Sequence, residues 1–398
     1  MAAVLPQQRI EFPRGGTGPD GSLLLAALGL VMLGLVMVSS TSISIAEAHG
    51  VGPFYYVSRH AMFLLAGGIG AAVMWRIPLA WLQRWSPLAA LAALFVLLLV
   101  FLPGIGVRIN GARRWINLGI SGFQVVEMVK LLLIVYLAGY LVRHRRDVQQ
   151  TWAGVLKPLA VVTALVGLLL AQPDFGGSVL LISIAVGMLW LGGASAPRLL
   201  GIGLAALPVI AIVAQMESYR LRRLTTFLNP WADPFNDGFQ LTQALIAVGR
   251  GEWFGVGLGD SVQKLFYLPE AHTDFIVAVI AEELGFFGLV VLLGLFALLA
   301  GRAFKLGLIA FEREQVFAGA IAYGIGLWFS LQAMISIGVN LGVLPTKGLT
   351  LPFVSSGGSS VLMSCVAMGL LLRVARELAE AEREQHKPMR SPHVGMPA

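Results

Sequence analysis

The sequence predicts an all-α fold: a polytopic integral membrane protein of ten transmembrane helices, with one long extracytoplasmic loop between the seventh and the eighth. Three observations carry that prediction. Apolar residues make up 57% of the 398-residue chain and charged residues only 12%, a balance suited to lipid rather than water. The apolar residues are gathered into ten runs, most of them near the roughly 20 residues that a helix needs to cross a bilayer. The basic residues are divided unequally between the segments joining those runs, as membrane orientation requires.

In chain order the runs fall at 23–43, 54–74, 85–102, 125–142, 156–171, 177–193, 199–215, 275–300, 316–338 and 360–373. Residues 1–22 are polar, and the first run is too long for the apolar part of a cleavable leader. An even number of spans puts both termini on one side. With that side as the cytoplasm, seventeen of the 28 lysines and arginines lie inside, ten outside, and Lys130 within a span. The expected organisation is a cytoplasmic tail (1–22), a single membrane domain (23–373) containing the outer loop 216–273, and a second cytoplasmic tail (374–398), disordered or serving as a short docking segment. The only cysteine, Cys365, falls inside an apolar run, so neither a disulfide nor a thiolate metal site is expected.

Polar residues interrupt this pattern at particular places. Between spans three and four, VRINGARRWINLG carries Arg108, Arg113 and Arg114. Short outer loops normally avoid arginine, so these three point to an anionic ligand such as a phosphate, or to phospholipid head groups. At the start of span four Gln124, Glu127 and Lys130 share one helical face. They read either as a buried Glu127–Lys130 ion pair or as part of a site. Gln172 to Gly177 form a tight outer turn in which Asp174 is a turn or cap residue or a ligand contact.

The loop from Met216 to Thr273 opens with alternating basic and apolar residues, suited to an amphipathic segment in the interface. It continues as GRGEWFGVGLGDSVQKL, with Arg250 and Lys264. No strand precedes those glycines, so they read as turns or as flexible backbone beside a substrate rather than as a nucleotide loop. Then comes YLPEAHTDFIVAVIAEELG. His272, Thr273 and Asp274 stand where the eighth apolar run begins, and Glu282 and Glu283 lie about 12 Å further along a helix, where acids are expensive. A helix cap, Thr273 or Asp274, accounts for one acid there, but not for the histidine and two buried glutamates. Finally LPTKGLTLPFVSSGGSS, with Lys347, Ser355 and Ser359, joins spans nine and ten. Irregular backbone of this kind is tolerated at membrane depth where it lines a cavity. All these features fall on one side, which predicts a single outward-facing polar site.

The segments NGARRWINLG, QPDFGGSV, FLNPWADPFNDGFQLTQALIAVGRG, GLGDSVQKLFYLPEAHTDFI, EELG and LPTKGLTLPFVSSGGSS, in this order, resemble the SEDS family of ten-span membrane proteins. The likeness is to its cell-division branch more than to its elongation branch. Two departures are Val125, where the family usually has proline, and Ser356, where it usually has tyrosine. The resemblance implies a peptidoglycan glycosyltransferase acting on lipid II, a disaccharide-pentapeptide on undecaprenyl pyrophosphate, at the septum of the bacterial inner membrane. It carries the family's essential aspartate onto Asp274, and substrate contacts onto Arg113, Arg114, Glu127, Lys130 and the SSGGSS loop, while Arg108 is a candidate from its place in the outer loop. It also implies a divalent cation, Mg²⁺ or Mn²⁺, and no organic cofactor. The implied partners are a class B penicillin-binding protein (the FtsI-type transpeptidase) and the division proteins FtsQ, FtsL, FtsB and FtsN, with no nucleic acid. His272, Asp174, Arg250, Lys264 and Lys347 join the candidate set from their positions on the outer side.

The residue chemistry fits such a reaction. One carboxylate suffices, because the pyrophosphate leaving group needs no protein acid. Acids in spans beside an anion-attracting cavity are equally what a lipid transporter shows, and a non-catalytic division scaffold is the third reading.

Overall fold

The computed structural model describes residues 20–48, 50–109, 111–117, 119, 122–215, 226–236, 238–265, 267–346 and 348–385. Its helices are α1 (Gly21–Ala48), α2 (Tyr55–Arg76), α3 (Leu79–Leu99), α4 (Val125–Arg143), α5 (Arg145–Gln150), α6 (Trp152–Ala171), α7 (Phe175–Leu191), α8 (Ala196–Gln215), α9 (Phe239–Gly251), α10 (Ile276–Glu312), α11 (Val316–Asn340) and α12 (Gly358–Gln385). A helix occupies every predicted apolar run, because in hydrocarbon each backbone N–H and C=O must be paired within its own segment. Eight helices among the described residues are long and apolar enough to cross a membrane, and α7 and the first part of α8 are shorter apolar helices. The chain is a multi-pass membrane protein.

Burial sorts the helices. α2 and α3 turn Leu65, Ile69, Trp81, Leu91 and Phe95 outward, as lipid-facing helices do. α4 is enclosed on nearly every side by α3, α7 and α11. Its Ile134 and Leu137, with Trp328 and Phe329 of α11, form the centre of the core. α12 lies along α2, and α10 packs against both α1 and α11.

Four details depart from the sequence expectation. First, the fold is not purely helical. Strands β1 (Gly106–Ile109), β2 (Ala112–Asn117) and β3 (Gly122–Gln124) form an antiparallel sheet in that order. Val107, Trp115 and Ile116 favour extended backbone, and Val107 pairs Trp115 across the ladder. Second, α10 runs on to Glu312 but is interrupted at Gly285, whose φ of 66° and ψ of −161° are non-helical. Residues 252–257 fill the break: Val256 N–H donates to Glu282 O (2.9 Å), Gly257 N–H to Glu283 O (3.2 Å), and Phe286 N–H to Glu252 O (2.9 Å).

The third departure follows from the second. A Cβ on Gly255 would lie 2.1 Å from Glu283 O, and one on Gly251 1.8 Å from Ala281 O. The glycines there allow backbone to touch backbone, and Gly255, Gly257 and Gly259 also take the positive φ of the expected turns. Fourth, residues 374–385 continue α12 instead of forming a disordered tail. Leu378 is buried, and Arg373–Glu377 and Arg376–Glu380 pair one turn apart. The basic stretch Arg220–Arg223, expected to lie in the interface, falls outside the described residues.

Candidate active site

The N-terminal ends of α2, α4, α10 and α12 gather around one cavity of about 810 Å³, well within the size range of ligand sites. Its walls come from Tyr56, Arg59 and His60 on α2, Arg114 and Trp115 on β2, Glu127 on α4, and Glu270 to Phe275 before α10. Thr346, Gly348 to Thr350 and Ser356 to Ser360 complete it.

Asp274 is half-buried in this wall, and its backbone is gripped. Three successive carbonyls are each held by a different donor. His272 O accepts from Ser356 N–H (2.9 Å), Thr273 O from Ser355 Oγ (2.6 Å), and Asp274 O from Asn340 Nδ2 (2.9 Å). Asn340, fully buried at the end of α11, also accepts the N–H of Ala278 at 3.0 Å. It thereby satisfies a first-turn donor of α10, the task a side-chain cap would perform. The N-cap position of α10 is Phe275, with no side-chain cap bond. Neither Thr273 nor the Asp274 carboxylate is therefore spent as the helix cap. Gly348 also lies close, for a Cβ added there would meet Asp274 Oδ2 at 2.6 Å.

Arg114 lines the cavity while its Nε donates to Gln172 O (3.1 Å) and its Nη2 to Pro173 O. Those bonds fix the guanidinium, whose fork has five donors. Glu127 lines the cavity too, and Lys130 lies beneath it, 1% exposed. Lys130 Nζ is 2.8 Å from Glu127, donates to Gln332 Oε1 (2.7 Å), and sits 4.6 Å over the Trp328 ring. A buried lysine needs such partners. Gln332 Nε2 in turn donates to Thr350 O at 2.7 Å, linking the ion pair to the cavity wall.

The structure brings together Arg114, Glu127, His272, Asp274 and Ser359 of the predicted site residues, with Lys130 directly underneath. Of the remaining candidates that are described, none lines the cavity. Arg108 and Arg113 are exposed and face each other across β1 and β2, outside the cavity lining. Asp174 caps α7, its Oδ1 accepting from Gly177 N–H at 3.0 Å. Ser355 is fully buried and engaged with Thr273 O and Leu351 N–H. Ser359 does reach the cavity, but its Oγ accepts from Gln124 N–H (2.8 Å). Arg250 and Lys264 are committed to the two deep glutamates. Arg250 Nη1 lies 3.1 Å from Glu282, and Lys264 Nζ lies 2.7 Å from Glu283, which Ser40 Oγ also reaches. Glu282 further accepts from Ser261 Oγ (2.5 Å) and Val262 N–H (3.2 Å). These acids tie the loop to the broken helix. Lys347 lies outside the described residues, but Thr346 and Gly348 on either side of it line the cavity.

Sequence reasoning did not single out Tyr56, Arg59 and His60. They sit at the mouth of a span with no motif around them, and only the packing of α2 on α12 places them in the wall. Among the described residues no three His, Cys, Asp or Glu side chains come together as a metal cage. The cavity carboxylates suit a cation shared with a phosphate ligand, which keeps one or two protein ligands.

The helix starts of this multi-pass membrane protein thus enclose a cavity lined by carboxylates and arginine, a composition suited to an anionic ligand. The chain belongs to the cell cycle protein family FTSW_RODA_SPOVE, whose model matches residues 21–380. It is 55% identical over 370 residues to a probable peptidoglycan glycosyltransferase FtsW of Xanthomonas oryzae pv. oryzae, covering 92% of this chain and 75% of that one. It is 48% identical to the probable peptidoglycan glycosyltransferase FtsW of Alkalilimnicola ehrlichii, over 98% of each chain. Among solved structures it matches a chain of a peptidoglycan synthase complex that coordinates polymerization and crosslinking (TM-score 0.74, 31% identity, 91% of this chain and 98% of that one). It also matches Rod shape determining protein RodA of Thermus thermophilus (TM-score 0.66, 29% identity, 93% and 99%).

Proposed function

We propose that the chain is a peptidoglycan glycosyltransferase that polymerises lipid II into glycan strands for septal wall synthesis. The observation that carries this reading is Asp274, held through its own carbonyl and unused as a cap, in a cavity with Arg114. Asp274 takes the proton from the acceptor sugar's 4-hydroxyl as that oxygen bonds the donor's anomeric carbon. The bond from that carbon to the pyrophosphate oxygen breaks, and undecaprenyl pyrophosphate leaves with the electron pair. A single displacement inverts the centre. Arg114 and Arg59 face the cavity and offset the charge growing on the pyrophosphate. Lys347, flanked by two lining residues, joins them in this proposal. A divalent cation would be held by Asp274 and by the pyrophosphate itself, supplying further charge neutralisation.

The same reading assigns a class B penicillin-binding protein of the FtsI type as partner, cross-linking peptides while this chain joins sugars. FtsQ, FtsL, FtsB and FtsN complete the assembly, and both termini face the cytoplasm of the inner membrane. The test is lipid II turnover by the purified protein in detergent, with its transpeptidase. Asp274→Asn should lower polymerisation by roughly 10²–10⁴-fold, the usual contribution of a general base, while lipid II binding stays near wild type. Polymerisation by the variant within about threefold of wild type would refute the assignment. A wild-type protein that makes no glycan in detergent, yet moves lipid II across vesicles, would establish the transporter reading instead.

A further inference from the structure

The chemistry above uses the charged part of the cavity wall and leaves most of its β-sheet unassigned. Trp115 of β2 and Gln124 of β3 are direct partners across the ladder, so their side chains stand on one face. Both are half-buried and both line the cavity. Gln124 N–H leaves the ladder for Ser359 Oγ (2.8 Å). The two therefore form a non-hydrogen-bonded pair, the kind whose side chains come closest. Gly122, two residues before Gln124, shares that face and has no side chain to intervene. A Cβ added there would meet Trp115 Cε3 at 3.4 Å and Cδ2 at 3.8 Å. The indole thus lies against Gly122 on one side and offers the rest of its surface to the cavity. Among the described residues no hydrogen bond engages Trp115 Nε1 or the Gln124 amide, and none of these atoms is enclosed. By contrast the His60 nitrogens and Ser360 Oγ in the same wall are enclosed, and the Glu127 carboxylate is paired with Lys130. Gln240, the other lining amide, stands apart on α9.

A flat apolar ring beside an amide, with no charge between them, is the complement of an uncharged pyranose. The indole takes the sugar's C–H face, while its N–H and the amide supply donors and an acceptor for the hydroxyls. Small-molecule sites are commonly built so, from aromatic surface and a few placed polar groups. The neighbour of Trp115 selects the sugar. Successive residues of a regular strand face opposite ways, yet Arg114 and Trp115 both line the cavity. Arg108 pairs with Arg113 and Val107 with Trp115, which leaves Arg114 as the extra residue of a bulge, a device that re-aims side chains. A guanidinium for pyrophosphate and an aromatic surface for sugar are thereby placed next to each other. From this we infer that Trp115 and Gln124 form a saccharide subsite, seating the donor pyranose whose anomeric carbon carries the pyrophosphate. The inference rests on the lipid II reading and deepens it, separating recognition of the sugar from the charge contacts of Arg59 and Arg114. Both are binding residues and take no part in proton transfer.

The test measures binding by the full chain, purified with its transpeptidase, to two probes. One is lipid II. The other is undecaprenyl pyrophosphate, which has the same lipid and pyrophosphate but no sugar. Wild type should bind lipid II the more tightly. Trp115→Leu should weaken lipid II binding about tenfold, and Gln124→Leu about fivefold, the range of one net hydrogen bond. Both variants should keep their affinity for undecaprenyl pyrophosphate within about twofold. Trp115→Phe, which retains a ring, should recover most of the loss, whereas Arg114→Gln should weaken both probes. Equal loss of both probes in Trp115→Leu and Gln124→Leu would indicate a deformed cavity and overturn the subsite. Unchanged lipid II binding in those two variants would overturn it as well, as would a wild type that binds the two probes alike. A wild type that prefers lipid II yet makes no glycan would refute the enzyme reading alone. Loss of that preference in both variants would then still support the subsite.

Discussion

Asn340 offers the sharpest test of how Asp274 is positioned. Its side chain makes three bonds between 2.8 and 3.0 Å, to Asp274 O (partly buried) and to Ser336 O and Ala278 N–H (both buried). The bond to Ser336 lies within α11 and contributes little to the site. The other two join α11 to the start of α10. Each is worth about 1 kcal/mol net, and an orphaned Asp274 carbonyl adds a further 1–3. Asn340→Ala therefore loses about 3–5 kcal/mol of local holding energy, enough to let the His272–Asp274 segment drift. Misplacement of a reacting group by about 1 Å lowers rate by roughly a hundredfold. The expected result is a ten- to hundredfold fall in glycan synthesis from lipid II in detergent, with the protein still inserted. Asn340→Asp keeps the acceptor for Ala278 N–H but removes the donor to Asp274 O, so it should be impaired as well. Asn340→Ala polymerising within threefold of wild type would show that the two remaining serine contacts suffice, and the positioning argument would fall.

Three further outcomes follow. Gly348→Ala places a methyl where Asp274 Oδ2 now lies 2.6 Å away, so glycan synthesis should fall about tenfold at unchanged expression, and near-normal synthesis would contradict the geometry. Burial alone would raise the pKa of Asp20, but hydrogen bonds from Arg302 and Ser22, with the arginine's charge, hold it below the ordinary 3.8. That stabilisation is fully present above 3.8 and disappears as pH falls through the lower, folded value. Heat stability of wild type should thus converge on that of Asp20→Asn only under strongly acidic conditions, and an unchanging gap would contradict the ion pair. Cysteines placed at Asn236 and Gln385 should label from opposite sides of the membrane, whereas labelling from one side would overturn the orientation.

The helices were legible because lipid leaves the chain no other choice. The runs at 125–142 and 316–338, for instance, became α4 and α11 within two residues at each end. Asp274 was legible for a similar reason: a polar cluster at the head of an apolar run is conspicuous. The capping alternative could be dismissed only when Asn340, sixty-six positions away, was seen supplying the bonds. Arg250 and Lys264 read as ligand contacts because charge near a polar loop looks alike whether it meets a substrate or a glutamate. Their true partners, Glu282 and Glu283, were visible in the sequence as buried acids, but the pairing depended on a break in α10 that no periodicity announces. Gly285 is one glycine among 47, and nothing local distinguishes it from those that merely ease helix packing. His60 lay hidden for the opposite reason, being a single polar residue near the end of an ordinary span.

The interrupted helix also bears on how the chain is made. α10 holds Glu282 and Glu283 near its first third, both fully desolvated. A lone helix with two such acids inserts less readily, each costing up to roughly 2.5–3.5 kcal/mol, the value for a charge at a helix centre. The residues that neutralise them, Arg250 and Lys264, and the strand-like stretch 252–257 that bonds both sides of the break, are all synthesised before α10 emerges. The partners of the two glutamates thus precede them in the chain, and loop and helix have to come together for either acid to be paired. A chain lacking 250–265 would leave both acids of α10 without their cations.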